Sequence, residues 1–145
     1  MPHAERTITI DRPPDQVFAF LANPANDRRW RSHVKEISAS TPPAVGSRIH
    51  QVIEGPGGRG IPADIEITAY EPPSRYAFQV VAGPARPRGE YRCAASGDGA
   101  KTTVSFSLDA ELGGWKKWVM GGQVQKSMDG EMANLDKAKA IIEGS

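Results

Sequence analysis

Three histidines, His3, His33 and His50, are the side chains in this sequence best suited to move a proton near neutral pH. They show no His-x-x-x-His spacing, and the single cysteine, Cys93, cannot form a Cys-x-x-Cys pair, so neither a metal site nor an internal disulfide is expected. There is no Gly-x-Ser-x-Gly elbow, dinucleotide-binding glycine pattern or phosphate-binding loop, so no cofactor is expected and catalytic residues stay unassigned. What chemistry remains depends on strand parity. His50 shares a parity with Arg48 and Val52, opposite Ile49, Gln51 and Ile53. Pointing inward with Asp64, Glu90 or Arg92, it would be a general base able to enolise a ketone and assist loss of water; pointing outward, it is a solvated side chain. Arg88, Glu90 and Arg92 share a parity opposite Gly89, Tyr91 and Cys93. They make either an exposed cross-strand charge row or an arginine that fixes a ligand carboxylate. Tyr76 and Tyr91 can each donate an orienting hydrogen bond inside an apolar site.

The elements that would position these residues follow from periodicity and turn signals. Residues 5–11 alternate Thr7 and Thr9 against Ile8 and Ile10, the pattern of a half-buried strand. Pro13-Pro14 opens a helix whose stripe is Val17, Phe20 and Leu21, and Asn23-Pro24 ends it. A short second helix or turn carrying Trp30 follows. Strands are expected at 34–40, 47–54, 61–70, 76–82, 89–95 and 102–110, divided by proline and glycine turns. The last is the clearest, with Val104, Phe106 and Leu108 on one face and Thr103, Ser105 and Ser107 on the other. Residues 115–143 form one proline-free amphipathic helix with Trp118, Gly121, Val124 or Gln125, Met128, Met132, Leu135, Ala138 and Ile142 on one face. The expectation is an α+β fold: a curved, seven-stranded antiparallel sheet wrapped around a long C-terminal helix, with two short helices after the first strand. No linker or repeat breaks residues 1–145, which read as a single domain.

With 145 residues, 39% hydrophobic and 24% charged, the chain has an ordinary globular composition. Eighteen Lys and Arg against 17 Asp and Glu create no large field to attract nucleic acid or an anionic membrane. The basic runs Arg28-Arg29-Trp30-Arg31 and Lys116-Lys117 read as solvated surface, with local contact patches as the alternative. No apolar run is long enough for membrane insertion and no signal peptide is seen, so a cytoplasmic monomer or homodimer is expected.

The order of motifs resembles the START-like (SRPBCC) superfamily, and within it the polyketide cyclase/dehydrase-type group. The matching stretches are RPPDQVFAFLANPANDRRW at 12–30, PPAVGSRI at 42–49, ITAYEPPSRYAFQVVAGP at 67–84 and GEYRCAASGDGAKTTVSFSLDAEL at 89–112, followed by the terminal helix. The resemblance implies the helix-grip fold with a hollow interior. On the expected inner faces, the cavity lining would be Trp30, Ile65, Ile67, Phe78, Tyr91, Phe106, Trp118, Val124, Met128 and Met132, unless those residues simply fill a core. Gly113-Gly114 and Gly121-Gly122 are either a loose helix start or a flexible gate with Trp115 and Trp118 as its lid. Three roles are compatible with the resemblance: carrying a small hydrophobic or aromatic molecule such as a lipid or polyketide-like metabolite, cyclase/dehydratase catalysis in the same cavity, or a chaperone-associated protein-interaction domain.

Overall fold

Proline decides where the first strand stops. β1 (His3–Ile10) runs into Pro13 and Pro14, which suit a helix start, and α1 (Pro14–Leu21) begins there. The computed structural model describes residues 3–83, 86–110 and 114–145, with side chains described at all of these except 56, 114–121 and 123. After α1, a 3-10 turn at Pro24–Asn26 leads into α2 (Asp27–Trp30). The strands β2 (Val34–Ala39), β3 (Arg48–Glu54), β4 (Gly60–Pro62), β5 (Ile65–Glu71), β6 (Arg75–Val80), β7 (Arg88–Ser96) and β8 (Lys101–Asp109) follow, and α3 (Gly114–Glu143) closes the chain.

Seven strands lie in the order β1-β8-β7-β6-β5-β3-β2, all paired antiparallel, and the three-residue β4 sits off this path beside β3. The stretch expected as one strand at 61–70 is thus split in two. The break has a local cause: the Asp64 carboxylate accepts the backbone N–H of Gln51 at 3.1 Å and meets His50 Nδ1 at 3.0 Å, so a side chain stands where the ladder would continue. The β7–β8 hairpin needs three successive left-handed residues, Gly97, Asp98 and Gly99 at φ of 56°, 61° and 83°, and glycine at two of them removes most of the steric cost.

The alternation foreseen in β8 holds: Val104, Phe106 and Leu108 are buried and join the inward residues of α3 in one core. On α3, Val124, Met128, Met132, Leu135, Ala138 and Ile142 form the buried stripe. The helix lies beside the edge strand β1 and runs the same way. His3 exchanges backbone hydrogen bonds with the Gln125 amide at 3.0 and 2.7 Å. Arg6 makes two hydrogen bonds to the Asp136 carboxylate at 3.0 and 2.7 Å, and the Asp11 N–H donates to Glu143 at 2.8 Å. The lengths agree, because about 27 Å is covered both by eight strand residues and by eighteen helical ones. These contacts also occupy an edge that would otherwise offer unpaired backbone groups.

Leu135 is fully buried between helix and sheet. Leu135→Ala is expected to lower stability by about 2–5 kcal/mol. Val45→Ser, at a position 66% exposed, should change it by less than about 0.5 kcal/mol. Urea unfolding followed by circular dichroism measures both, and equal effects would contradict this assignment of the core.

Candidate ligand cavity

Helix and sheet do not close completely. Between them lies a cavity of about 740 Å³, within the range of about 300–1,000 Å³ typical of small-molecule sites. Four rings make up one part of its apolar wall, because β6, β7 and β8 place Tyr76, Phe78, Tyr91 and Phe106 on one continuous inner face beside aliphatic side chains such as Ile53, Ile65 and Leu108. Tyr91 and Phe106, direct cross-strand partners, stack at 4.2 Å with 11° between their planes. Gly89 makes room for this wall, since a Cβ there would lie 2.4 Å from Phe78 Cζ and 2.9 Å from Leu108 Cδ2. Val124 and Met128 of α3 face the rings across the space.

Six of the expected lining residues therefore border the cavity: Ile65, Phe78, Tyr91, Phe106, Val124 and Met128. Trp30, Ile67 and Met132 do not line it and belong to the packed core instead. Trp30 stands edge-on to Tyr91 at 6.4 Å. Three residues beyond Ile67, Phe18 of α1 packs on Tyr70 at 5.7 Å, so helix already covers that end of the sheet. Met132 lies in the turn of α3 that is fastened to β1, where its carbonyl accepts a hydrogen bond from Arg6 at 3.1 Å. Trp118 lies outside the described side chains, as do Gly114, Trp115 and Gly121 of the gate; Gly113 lies outside the described residues. Gly122 is exposed, with open space where a Cβ would stand.

The ionisable residues singled out on β3 and β7 point away from the cavity. Ile49 and Gln51 face inward, so His50 turns outward to Asp64, with the two side chains 52% and 38% exposed. Glu90 is held on the outer face between Arg75 and Arg92, and Arg88 is also exposed. The charge-row alternative is the one realised, and none of these residues serves as a base or carboxylate anchor inside.

A different cluster does border the cavity. Arg31, in the basic run expected at the surface, is buried, with its side chain 11% exposed. Its Nε and Nη2 make a bidentate contact with Glu131 at 3.0 and 2.6 Å, while Nη1 donates to Asp27 at 2.9 Å and to Gln51 at 2.8 Å. His33 Nε2 lies 2.7 Å from the same Glu131, and Gln51 passes the chain on to the Ala63 carbonyl at 3.1 Å. Arg28 and Arg29 are exposed, as a solvated run requires. One signal for the cluster was present in the sequence: Glu131 sits three residues after Met128 and seven after Val124, an acid on the apolar stripe.

Burial and charge pull these groups in opposite directions. For Glu131, burial favours the neutral acid, but Arg31 and His33 outweigh it and hold the pKa down at about 2. For Asp27, burial prevails over the attraction of Arg31, and the pKa rises from 3.8 to about 6. Burial opposes the Arg31 charge, yet Glu131 and Asp27 keep it firmly protonated. Burial also raises the phenols of Tyr76 and Tyr91 above their ordinary range, so both remain hydrogen-bond donors.

The two carboxylates make opposite contributions to stability. A raised folded-state pKa gives Asp27 a contribution that is complete below about pH 3.8 and lost as pH rises through about 6. The contribution of Glu131, with its depressed pKa, is complete above about pH 4.5 and lost towards pH 2. Of the two carboxylates, Asp27 is the one that changes between about pH 5 and 8, so the stability of the wild type relative to Asp27→Asn should fall by about 1–2 kcal/mol across that window. Urea midpoints of both proteins measured against pH test this, and a difference that stays flat contradicts the assignment.

Comparison with known proteins agrees with this architecture. The family described as "Polyketide cyclase / dehydrase and lipid transport" matches residues 1–140. TTHA0849 from Thermus thermophilus superimposes with a TM-score of 0.80 at 18% identity, covering 99% of this chain and 98% of that one. A START superfamily protein from Mycobacterium smegmatis gives 0.73 at 13% identity, covering 98% and 94%. The Zhui aromatase/cyclase from a Streptomyces species gives 0.73 at 15% identity, covering 97% and 93%. An uncharacterised protein of Mycobacterium tuberculosis is 30% identical over 73 residues, a stretch that spans 50% of this chain and 42% of the relative. Among the described residues, no helix is long and apolar enough to cross a membrane. With its strand order, its closing helix and a family match over almost its whole length, the chain belongs to the polyketide cyclase/dehydrase and lipid transport family of START-like proteins.

Proposed function

We propose that the protein binds and carries a small hydrophobic or aromatic molecule in the cavity between α3 and the sheet. The observation that carries this reading is the aromatic wall of Tyr76, Phe78, Tyr91 and Phe106 facing Val124 and Met128 across a cavity of about 740 Å³. Such surfaces gain free energy by shedding water, at roughly 25 cal/mol per Å², and methionine adapts to varied shapes. The neutral dye Nile red should bind saturably, with an emission shift towards an apolar environment. Met128→Trp, which puts a large side chain into the space, should weaken binding about tenfold or more while the far-ultraviolet circular dichroism spectrum is retained. Absence of saturable binding, or a folded Met128→Trp variant that binds normally, would refute the carrier.

One observation favours a second reading, a cyclase or dehydratase in the same cavity. Asp27 is a cavity-edge carboxylate with a pKa of about 6, suited to take and return a proton near neutrality. It would remove the proton α to a ketone while a tyrosine hydroxyl donates to the enolate oxygen. The carboxyl would then give that proton to the β-hydroxyl, which leaves as water and yields the enone. With an aromatic β-hydroxy ketone, this reading expects wild-type turnover and a loss of about a hundredfold or more in Asp27→Asn, with Nile red binding preserved. Failure of the wild type to dehydrate the ketone removes the enzyme reading and leaves the carrier untouched.

A further inference from the structure

Resting on the carrier reading, we infer that the cavity selects uncharged ligands whose polar end is a carbonyl or hydroxyl oxygen, and rejects carboxylates of the same apolar shape. The reason lies in how the buried charges are already spent. A guanidinium has five N–H donors. Four of those on Arg31 are committed, two to Glu131 and one each to Asp27 and Gln51. No two-pronged face is left for an incoming carboxylate, the geometry that makes arginine a strong anion anchor. Both Glu131 oxygens are engaged by Arg31, and His33 approaches one of them.

The charge balance points the same way. One guanidinium against two carboxylates leaves the cluster formally at −1 with His33 neutral, and neutral with His33 protonated. An arriving anion would lose its hydration and then face Asp27 and Glu131 with no spare buried cation beside it among the described residues. Among the described residues, the other charged side chains around the cavity, Glu54 and Lys126, are exposed to solvent and of opposite sign.

Neutral polar groups, by contrast, are unspent. Tyr76, Tyr91 and Asn134 border the cavity and are buried. Neither hydroxyl nor the Asn134 amide has a hydrogen-bond partner among the described residues. Their polar atoms are not sealed off, since the buried side-chain atom left without a partner among the described residues is Trp30 Nε1; the two hydroxyls and the amide therefore stay open to a polar group that the ligand supplies. A ketone or phenol oxygen accepts from a tyrosine without bringing a charge.

The test is displacement of Nile red at about pH 8, where 2-naphthoic acid is fully ionised. The expected result is that neutral 2-acetylnaphthalene displaces the dye at a concentration about tenfold or more below that needed for 2-naphthoate. Naphthoate displacing as well or better overturns the inference, and so does bound dye that acetylnaphthalene fails to displace. Dye that never binds refutes the carrier reading itself, which separates the two failures. Asp27→Asn removes one of the two negative charges and should raise the affinity of naphthoate relative to acetylnaphthalene about tenfold. An unchanged ratio would show that the cluster does not set the preference.

Discussion

The bidentate contact between Arg31 and Glu131 joins positions 100 residues apart in the chain. It fastens the segment after α2 to the middle of α3, at the place where helix and sheet diverge. Charges can be buried at such a site only if every partner is present, since an isolated ion in an apolar interior costs several kcal/mol. Here Asp27, Gln51 and His33 complete the set, and Gln51 is itself buried because it accepts from Arg31 and donates to Ala63. The cluster thereby places a polar corner beside an aromatic wall, and that juxtaposition defines what the cavity can hold.

Stability alone does not account for such an arrangement. Replacing a buried ion pair with well-packed apolar side chains is often neutral or stabilising. The effect of the cluster is better sought in geometry and selectivity. It holds α3 at a fixed distance on one side, while Gln125, Asp136 and Glu143 hold it against β1 on the other. Of the two carboxylates, Asp27 is the one for which burial outweighs its partner's attraction, so its protonation state responds near neutral pH.

How far the sequence reveals all this depends on whether each signal is local. The β8 alternation, the proline start of α1 and the Val124–Met128–Leu135 stripe involve neighbours a few residues apart, and they are legible because burial imposes a period of two or three to four. The inward parity of β3 is not legible, because Ile49, Gln51 and Ile53 on one side and Arg48, His50 and Val52 on the other are both mixtures. What settles it is Asp64, fourteen residues beyond His50, which ties down the Gln51 backbone and draws His50 outward. Arg31 is misread for a related reason. A basic run is usually solvated, and Arg31 departs from its exposed neighbours Arg28 and Arg29 only through partners supplied by β3 and α3. Of the expected lining, Trp30, Ile67 and Met132 share the apolar character of the true wall, so composition cannot separate core from cavity.

The hollow persists because its walls cannot relax onto each other. The sheet is held by continuous antiparallel ladders, and α3 is fixed at Gln125, Glu131, Asp136 and Glu143, points spread along most of its described length. Settling the helix onto the aromatic wall would require breaking Arg31 from Glu131 or lifting α3 from β1, and the first of these leaves buried charges unpaired. The rings of Tyr91 and Phe106, already stacked on each other, border the space on the side away from the sheet. Dispersion contacts forfeited there are restored only by something that enters. Any occupant that binds the folded chain and not the unfolded one adds to stability in proportion to the logarithm of its concentration over its dissociation constant. Folding stability and ligand affinity are therefore coupled through the same surface, and the polar corner decides which molecules can exploit that coupling.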